Sequence, residues 1–166
     1  MARAASSNRL LEDYNRDKHP EKEKQILYGI VIPKNLPAPT FTNEYVKVGK
    51  STIPGTNMRG LFAKKDIPKN TLIADYKGLE MSISEFNELY NRDYRYSYSM
   101  RRQNKIINGR TKDYLTENPS HYTNESTPRN VNVELVKKGF YTTKDVKKGD
   151  ELFLQYPKNY PRTYEL

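Results

Sequence analysis

From position 44 onward, short runs of alternating apolar and polar residues succeed one another, each closed by turn-forming residues. EYVKV (44–48) has the period of two expected of a half-buried strand. STIPGTN (51–57) is turn chemistry, with Pro54-Gly55 followed by Thr56-Asn57. RGLFAKKDI (59–67) resumes as a strand and stops at Pro68-Lys69-Asn70, and TLIADYKG (71–78) follows as another. In SISEFNELYNR (82–92) the period changes: Ile83, Phe86, Leu89 and Tyr90 fall on one helical face, Ser82 stands where an N-cap belongs, and Glu85 takes the capping-box position. YRYSYSM (94–100) has Tyr at every second position, which predicts a strand with a ladder of phenols on one face. The stretch 104–130 reads mostly as loop and turn, long for a passive connection. VNVELV (131–136), GFYTTKDV (139–146) and ELFLQY (151–156) complete the strand candidates.

Before position 44 the pattern differs. Residues 1–25 are polar and charge-mixed, with Leu10, Leu11 and Tyr14 on one face of a short helix that ends near Pro20; residues 26–41 are apolar with repeated Pro, an arm lying on a core. The expected division is an extension over 1–42, one compact domain over 43–157 and a short tail over 158–166. The sum is a mostly β, β-rich α+β fold with one clear helix near 82–92.

The chain repeats itself. KDIPKNTLIADY (65–76) and KDVKKGDELFLQY (144–156) share Lys-Asp, a β-branched residue, a Lys-containing turn, an apolar run and a final Tyr. Each copy reads as strand, tight turn, strand, and Asn70 and Gly149 are the residues able to take a positive φ inside the turn.

Composition narrows the chemistry. With 35% apolar and 30% charged residues among 166, the core is small. Fourteen Tyr, 5 Phe and no Trp place hydroxyl-bearing rings where a wet cavity needs them. The absence of Cys removes disulfides, thiolate zinc sites and a cysteine nucleophile, and with only His19 and His121 a multi-histidine metal site is not expected. No apolar run reaches the ~18 residues of a membrane span, which predicts a soluble intracellular protein. The formal net charge of +9 suits either solubility or attraction to nucleic acid.

Several motifs, in order, resemble those of the SET-domain protein lysine methyltransferases. RGLFAKKDI (59–67) is similar to the family's Gly-Leu-Phe-Ala segment, and ADYKG (74–78) to the strand after it. NPSHYTNES (118–126) resembles the family segment that reads Asn, any residue, Ala-Arg-Phe-Ile-Asn-His-Ser, with Asn130 matching an asparagine soon after, and TTKDVKKGDELFLQY (142–156) resembles the strand that ends on the catalytic tyrosine. The resemblance implies a β-clip fold of several small sheets with a C-terminal pseudoknot, in which the chain near 156 threads beneath the loop carrying Asn124.

It also implies a reaction: transfer of a sulfonium methyl from S-adenosylmethionine to a protein lysine. A free lysine has a pKa near ~10.4, so the site must desolvate and align the amine, which a narrow aromatic channel does without a strong base. From pattern alone Tyr156 is a strand-end ring in packing, the usual fate of such residues; the resemblance reverses this and implies the catalytic tyrosine, its hydroxyl beside the transferring methyl. Tyr96 or Tyr98 lines the channel, or else belongs to a plain packing ladder. Leu154, two before Tyr156, leaves room for products beyond monomethyl-lysine. Tyr76 reads as core or channel, with core the favoured reading.

For the cofactor, Arg59, Gly60 and Leu61 match the segment whose backbone receives it, with a β-bulge as the other reading of Gly60. Asn124 matches the asparagine that holds the methionine part, its amide able to donate and accept, while an Asx-turn would explain it equally. By the same resemblance His121, Tyr122 and Glu125 are cofactor-binding residues beside it, and Tyr160 stacks on adenine or else covers apolar surface.

The chain departs from the family pattern where Glu125 replaces the histidine of Asn-His-Ser and His121 replaces an arginine. PKNYPRTYEL (157–166) stands where many relatives carry a zinc-binding cysteine cluster. The expected partner is a protein with an accessible lysine. Family analogy names histones, and with a eukaryotic histone the nucleus. Nucleic acid is a second partner through charge, a membrane is not expected, and oligomeric state is open. The competing reading is a SET-like binding module without turnover that has a chromatin or nucleic-acid partner.

Overall fold

The computed structural model describes residues 36–55, 58–89, 98–111 and 114–155. The expectations for the helix and arm before residue 36, for Tyr90, for Tyr96 and for Tyr156 and the tail beyond it lie outside the described residues. In chain order the strands are β1 (Val46–Lys50), β2 (Arg59–Ala63), β3 (Leu72–Asp75), β4 (Leu79–Ser82), β5 (Ser99–Arg102), β6 (Lys105–Asn108), β7 (Asn124–Glu125), β8 (Val133–Val136), β9 (Gly139–Thr142) and β10 (Glu151–Leu154). Helix α1 (Ile83–Leu89) follows β4, and a 3-10 helix (Pro119–Tyr122) precedes β7. This is a mostly β fold of small sheets, and its described residues form two compact units.

The first unit holds residues 40–76 and 118–155. Its four-stranded sheet runs β1-β2-β10-β7. β1 and β2 pair without a break from Val46↔Ala63 to Lys50↔Arg59, so Gly60 sits in a regular ladder and not in a bulge. β10 occupies the other edge of β2, with Leu152 opposite Leu61, and β7 lies parallel to β10, with Phe153 opposite Asn124. The last strand is thus held between β2 and the loop around Asn124, the crossing of a C-terminal pseudoknot. A second sheet, β3-β9-β8, contributes the buried residues Ile73, Phe140 and Val133.

The internal repeat has a structural counterpart. The two turns clip to one another, Ile67 N–H donating to Val146 O and Val146 N–H to Ile67 O, both at 2.8 Å. Asp66 Oδ1 accepts the Lys148 N–H at 2.9 Å and Asp145 Oδ1 accepts the Lys69 N–H at 2.8 Å, so each copy's aspartate caps the other copy's turn. Asn70 and Gly149 carry φ of 65° and 91°, as the turn chemistry predicts. Thr142, 1% exposed, ties β9 to the first turn: its Oγ1 donates to Pro68 O at 2.7 Å and accepts the Thr71 N–H at 2.9 Å.

The second unit holds residues 36–39 and Lys77–Glu117. Its sheet runs β4-β6-β5, and α1 packs Phe86 and Leu89 onto Ile106 beside Met81 and Ile83. Ser82 caps the helix as predicted, its Oγ accepting the Glu85 N–H at 3.0 Å. The loop expected over 104–130 is corrected here. Lys105–Asn108 form β6, paired on both sides, and its Ile106 and Ile107 are buried. Tyr98 is also not part of a strand ladder: its φ of 51° is left-handed, and β5 begins one residue later.

Candidate active site

The ladder that places β10 between β2 and β7 converges three distant stretches on one carboxylate. Glu151, first residue of β10, is 6% exposed. Its Oε1 accepts the Thr52 N–H at 2.7 Å and the Thr52 Oγ1–H at 2.6 Å. Its Oε2 accepts the Ser51 Oγ–H at 2.8 Å and the Asn124 Nδ2–H at 3.2 Å. A buried anion of this kind is tolerable only when donors surround it, and these donors do so without an ion pair to any described residue.

Gly60 fits this arrangement for a steric reason. A Cβ there would lie 2.5 Å from Glu151 Oε2 and 3.2 Å from the Ser51 Cα. The missing side chain makes room for the carboxylate, in addition to whatever its backbone receives.

Asn124 is oriented by two acceptors. Its Nδ2 donates to Arg59 O at 2.8 Å and to Glu151 Oε2 at 3.2 Å. A carbonyl and a carboxylate can only accept, so the amide nitrogen must face them, and both of its hydrogens are engaged. That leaves Oδ1, an acceptor, as the remaining polar atom of this side chain. The amide that sequence reading treats as donor and acceptor together is therefore committed to accepting.

The neighbouring residues are fixed by packing. The His121 Nε2 shares a hydrogen bond of 2.6 Å with the hydroxyl of Tyr76, whose ring is 4% exposed and thus core, as expected. Tyr122 is buried edge-on against Phe41, the ring centroids 5.8 Å apart. Leu61 is fully buried, so its side chain belongs to the core. Glu125 and Leu154 face each other across the parallel pair, both buried. Leu154 O accepts the Ser126 N–H at 3.1 Å, which continues the pairing past β7.

Glu151, Ser51, Thr52 and Asn132 are absent from the sequence-based site. Asn132 holds β10 on the side of β7: its Nδ2 donates to Glu151 O at 3.1 Å and its Oδ1 accepts the Phe153 N–H at 2.9 Å. The available signal was Glu151 itself, an acid opening the apolar run ELFL.

The sequence model of the SET domain matches residues 58–157. The chain belongs to the SET-domain family. A search of curated proteins gives no match. Solved structures similar to this SET domain include the Chaetomium thermophilum polycomb repressive complex 2, at 26% identity and a TM-score of 0.56, over 75% of this chain and 17% of that one. The same complex in an autoinhibited conformation bound to S-adenosylmethionine matches at 25% identity and a TM-score of 0.53, over 73% of this chain and 16% of that one. Its complex with trimethylated and lysine-to-methionine forms of histone H3 matches at 25% and 0.53, over 73% and 15%. The SET domain here thus corresponds to a small part of those chains. Among the described residues no helix is long and apolar enough to cross a membrane, and no group of His, Cys, Asp and Glu is placed to hold a metal ion.

Proposed function

We propose that this SET domain is an S-adenosylmethionine-dependent protein-lysine methyltransferase. The observation that carries the reading is the parallel pairing of β7 with β10. It sets Asn124 beside the strand that leads, two residues past Leu154, to Tyr156. The cofactor-binding asparagine of the family pattern thereby pairs with the strand whose sequence runs on toward Tyr156. The relative bound to S-adenosylmethionine supports the cofactor, and the relative bound to histone H3 supports a basic histone tail as the substrate class.

The residues present suit the cofactor. Asn124 Oδ1, fixed as an acceptor, fits an ammonium, and the backbone near Arg59 is where the rest of the amino-acid portion would lie. Tyr122, Glu125 and His121 hold the loop that carries Asn124; Tyr160 is assigned to the adenine. When bound, the cofactor supplies an electrophilic methyl group. The chain's own task is to orient a lysine amine, exclude water and favour its neutral form, with Tyr156 positioning the amine and Leu154 assigned to the channel.

The test has two arms. S-adenosylmethionine or its demethylated product raises the melting temperature of the wild type. Tritiated methyl transfer to core histones occurs with the wild type and is lost in Tyr156→Phe, which keeps its fold and cofactor affinity. Cofactor binding without transfer to any protein substrate would favour the binding-module reading, for which Glu125 in place of histidine is the specific sign. No stabilisation by either compound would remove the methyltransferase reading.

A further inference from the structure

We propose that Glu151 is a positioning residue for cofactor recognition, acting through Asn124; this rests on the methyltransferase reading above. The amide of Asn124 has two stable orientations in isolation, related by a flip that exchanges its oxygen and nitrogen. Arg59 O on one side and Glu151 Oε2 on the other, at 2.8 and 3.2 Å, both select the orientation that presents Oδ1 to a ligand. The carboxylate is itself immobilised, buried to 6% exposure and bonded to Ser51 and Thr52 in the turn that leaves β1. Gly60 leaves it the room to stand there. Glu151 therefore links the β1–β2 turn to the asparagine loop and holds a ligand-binding amide in its accepting form before any ligand arrives. Pre-organisation of this kind raises affinity by lowering the ordering cost of binding. Its effect falls on the amino-acid portion, which S-adenosylmethionine and S-adenosylhomocysteine have in common, and not on the methyl.

The first measurement needs no ligand. In the wild-type protein labelled with nitrogen-15, the Asn124 side-chain amide pair, assigned by its loss in Asn124→Asp, exchanges slowly with solvent. An amide pair that exchanges as fast as an exposed one overturns the proposal. The second is a double-mutant cycle on the dissociation constant for S-adenosylhomocysteine, with Glu151→Gln, Asn124→Ala and the pair. Glu151→Gln weakens binding about tenfold, the scale of one hydrogen bond to a charged group, and has no further effect when Asn124 is already Ala. At saturating S-adenosylmethionine, kcat of Glu151→Gln stays within about twofold of wild type while KM for the cofactor rises, the pattern of lost ground-state binding. Additive losses, or a fall in kcat with KM unchanged, overturn the proposal. Wild type that binds cofactor alongside an unaffected Glu151→Gln defeats this inference alone; wild type that binds neither compound defeats the methyltransferase reading with it.

Discussion

Replacing Thr142 with Val keeps the shape of a side chain that is 1% exposed and removes its hydroxyl. Two hydrogen bonds disappear, the one donated to Pro68 O at 2.7 Å and the one accepted from the Thr71 N–H at 2.9 Å. The consequences are unequal. Pro68 O still accepts the Thr71 Oγ1–H at 2.7 Å, so that carbonyl stays satisfied. The Thr71 amide loses its partner in a half-buried position, and an orphaned donor costs about 1–3 kcal/mol. With the net value of the second bond, about 1 kcal/mol, the expected destabilisation is about 2–4 kcal/mol. For a chain of this size, each kcal/mol lowers Tm by about 2–4 °C. Thr142→Ser is the control: it keeps the hydroxyl and loses one buried methyl, about 1 kcal/mol. Urea denaturation of both variants, followed by circular dichroism, gives the comparison. If Thr142→Val loses less than Thr142→Ser, the hydroxyl is not what joins β9 to the first turn, and the reasoning fails.

Further expectations follow from the same geometry. Gly60→Ala drives a methyl against the Glu151 carboxylate; an overpacking cost of about 1–3 kcal/mol is expected, with loss of cofactor affinity visible by calorimetry. Tyr76→Phe removes the hydroxyl bonded to His121 and lowers stability by about 1 kcal/mol, read as a reduced thermal midpoint; an unchanged midpoint would show that this bond adds nothing in water.

What the sequence reveals and what it hides divide along physical lines. The Ser82 cap and the positive φ of Asn70 and Gly149 are local, decided by a few neighbouring residues, and they were legible. So were most strands, although β1 is shifted two residues past its pattern and several others are shorter than theirs. β7 was not, because two residues held in a parallel pair have no period to read. Lys105–Asn108 looked like loop because its partners come from both sides rather than from its own alternation. The asparagine, glycine and arginine of the candidate site came from motif resemblance. Glu151 escaped because an acid in KKGDEL reads as an exposed turn residue, and its burial depends on Ser51, Thr52 and Asn124, which only the fold assembles. The repeat was visible, but not that its two copies cap each other's turns.

The seat of β10 between β2 and β7 imposes a timetable on synthesis. While a ribosome is still making the middle of the chain, the hairpin of β1 and β2 has already emerged with one margin uncovered, and such a margin invites adhesion to other polypeptides. A ligand that recognises the finished site has nothing to grip until β10 has emerged and taken its place beside β2 and β7. Premature termination anywhere before Glu151 would therefore leave a product that no amount of ligand could rescue, because mass action stabilises only a state able to bind.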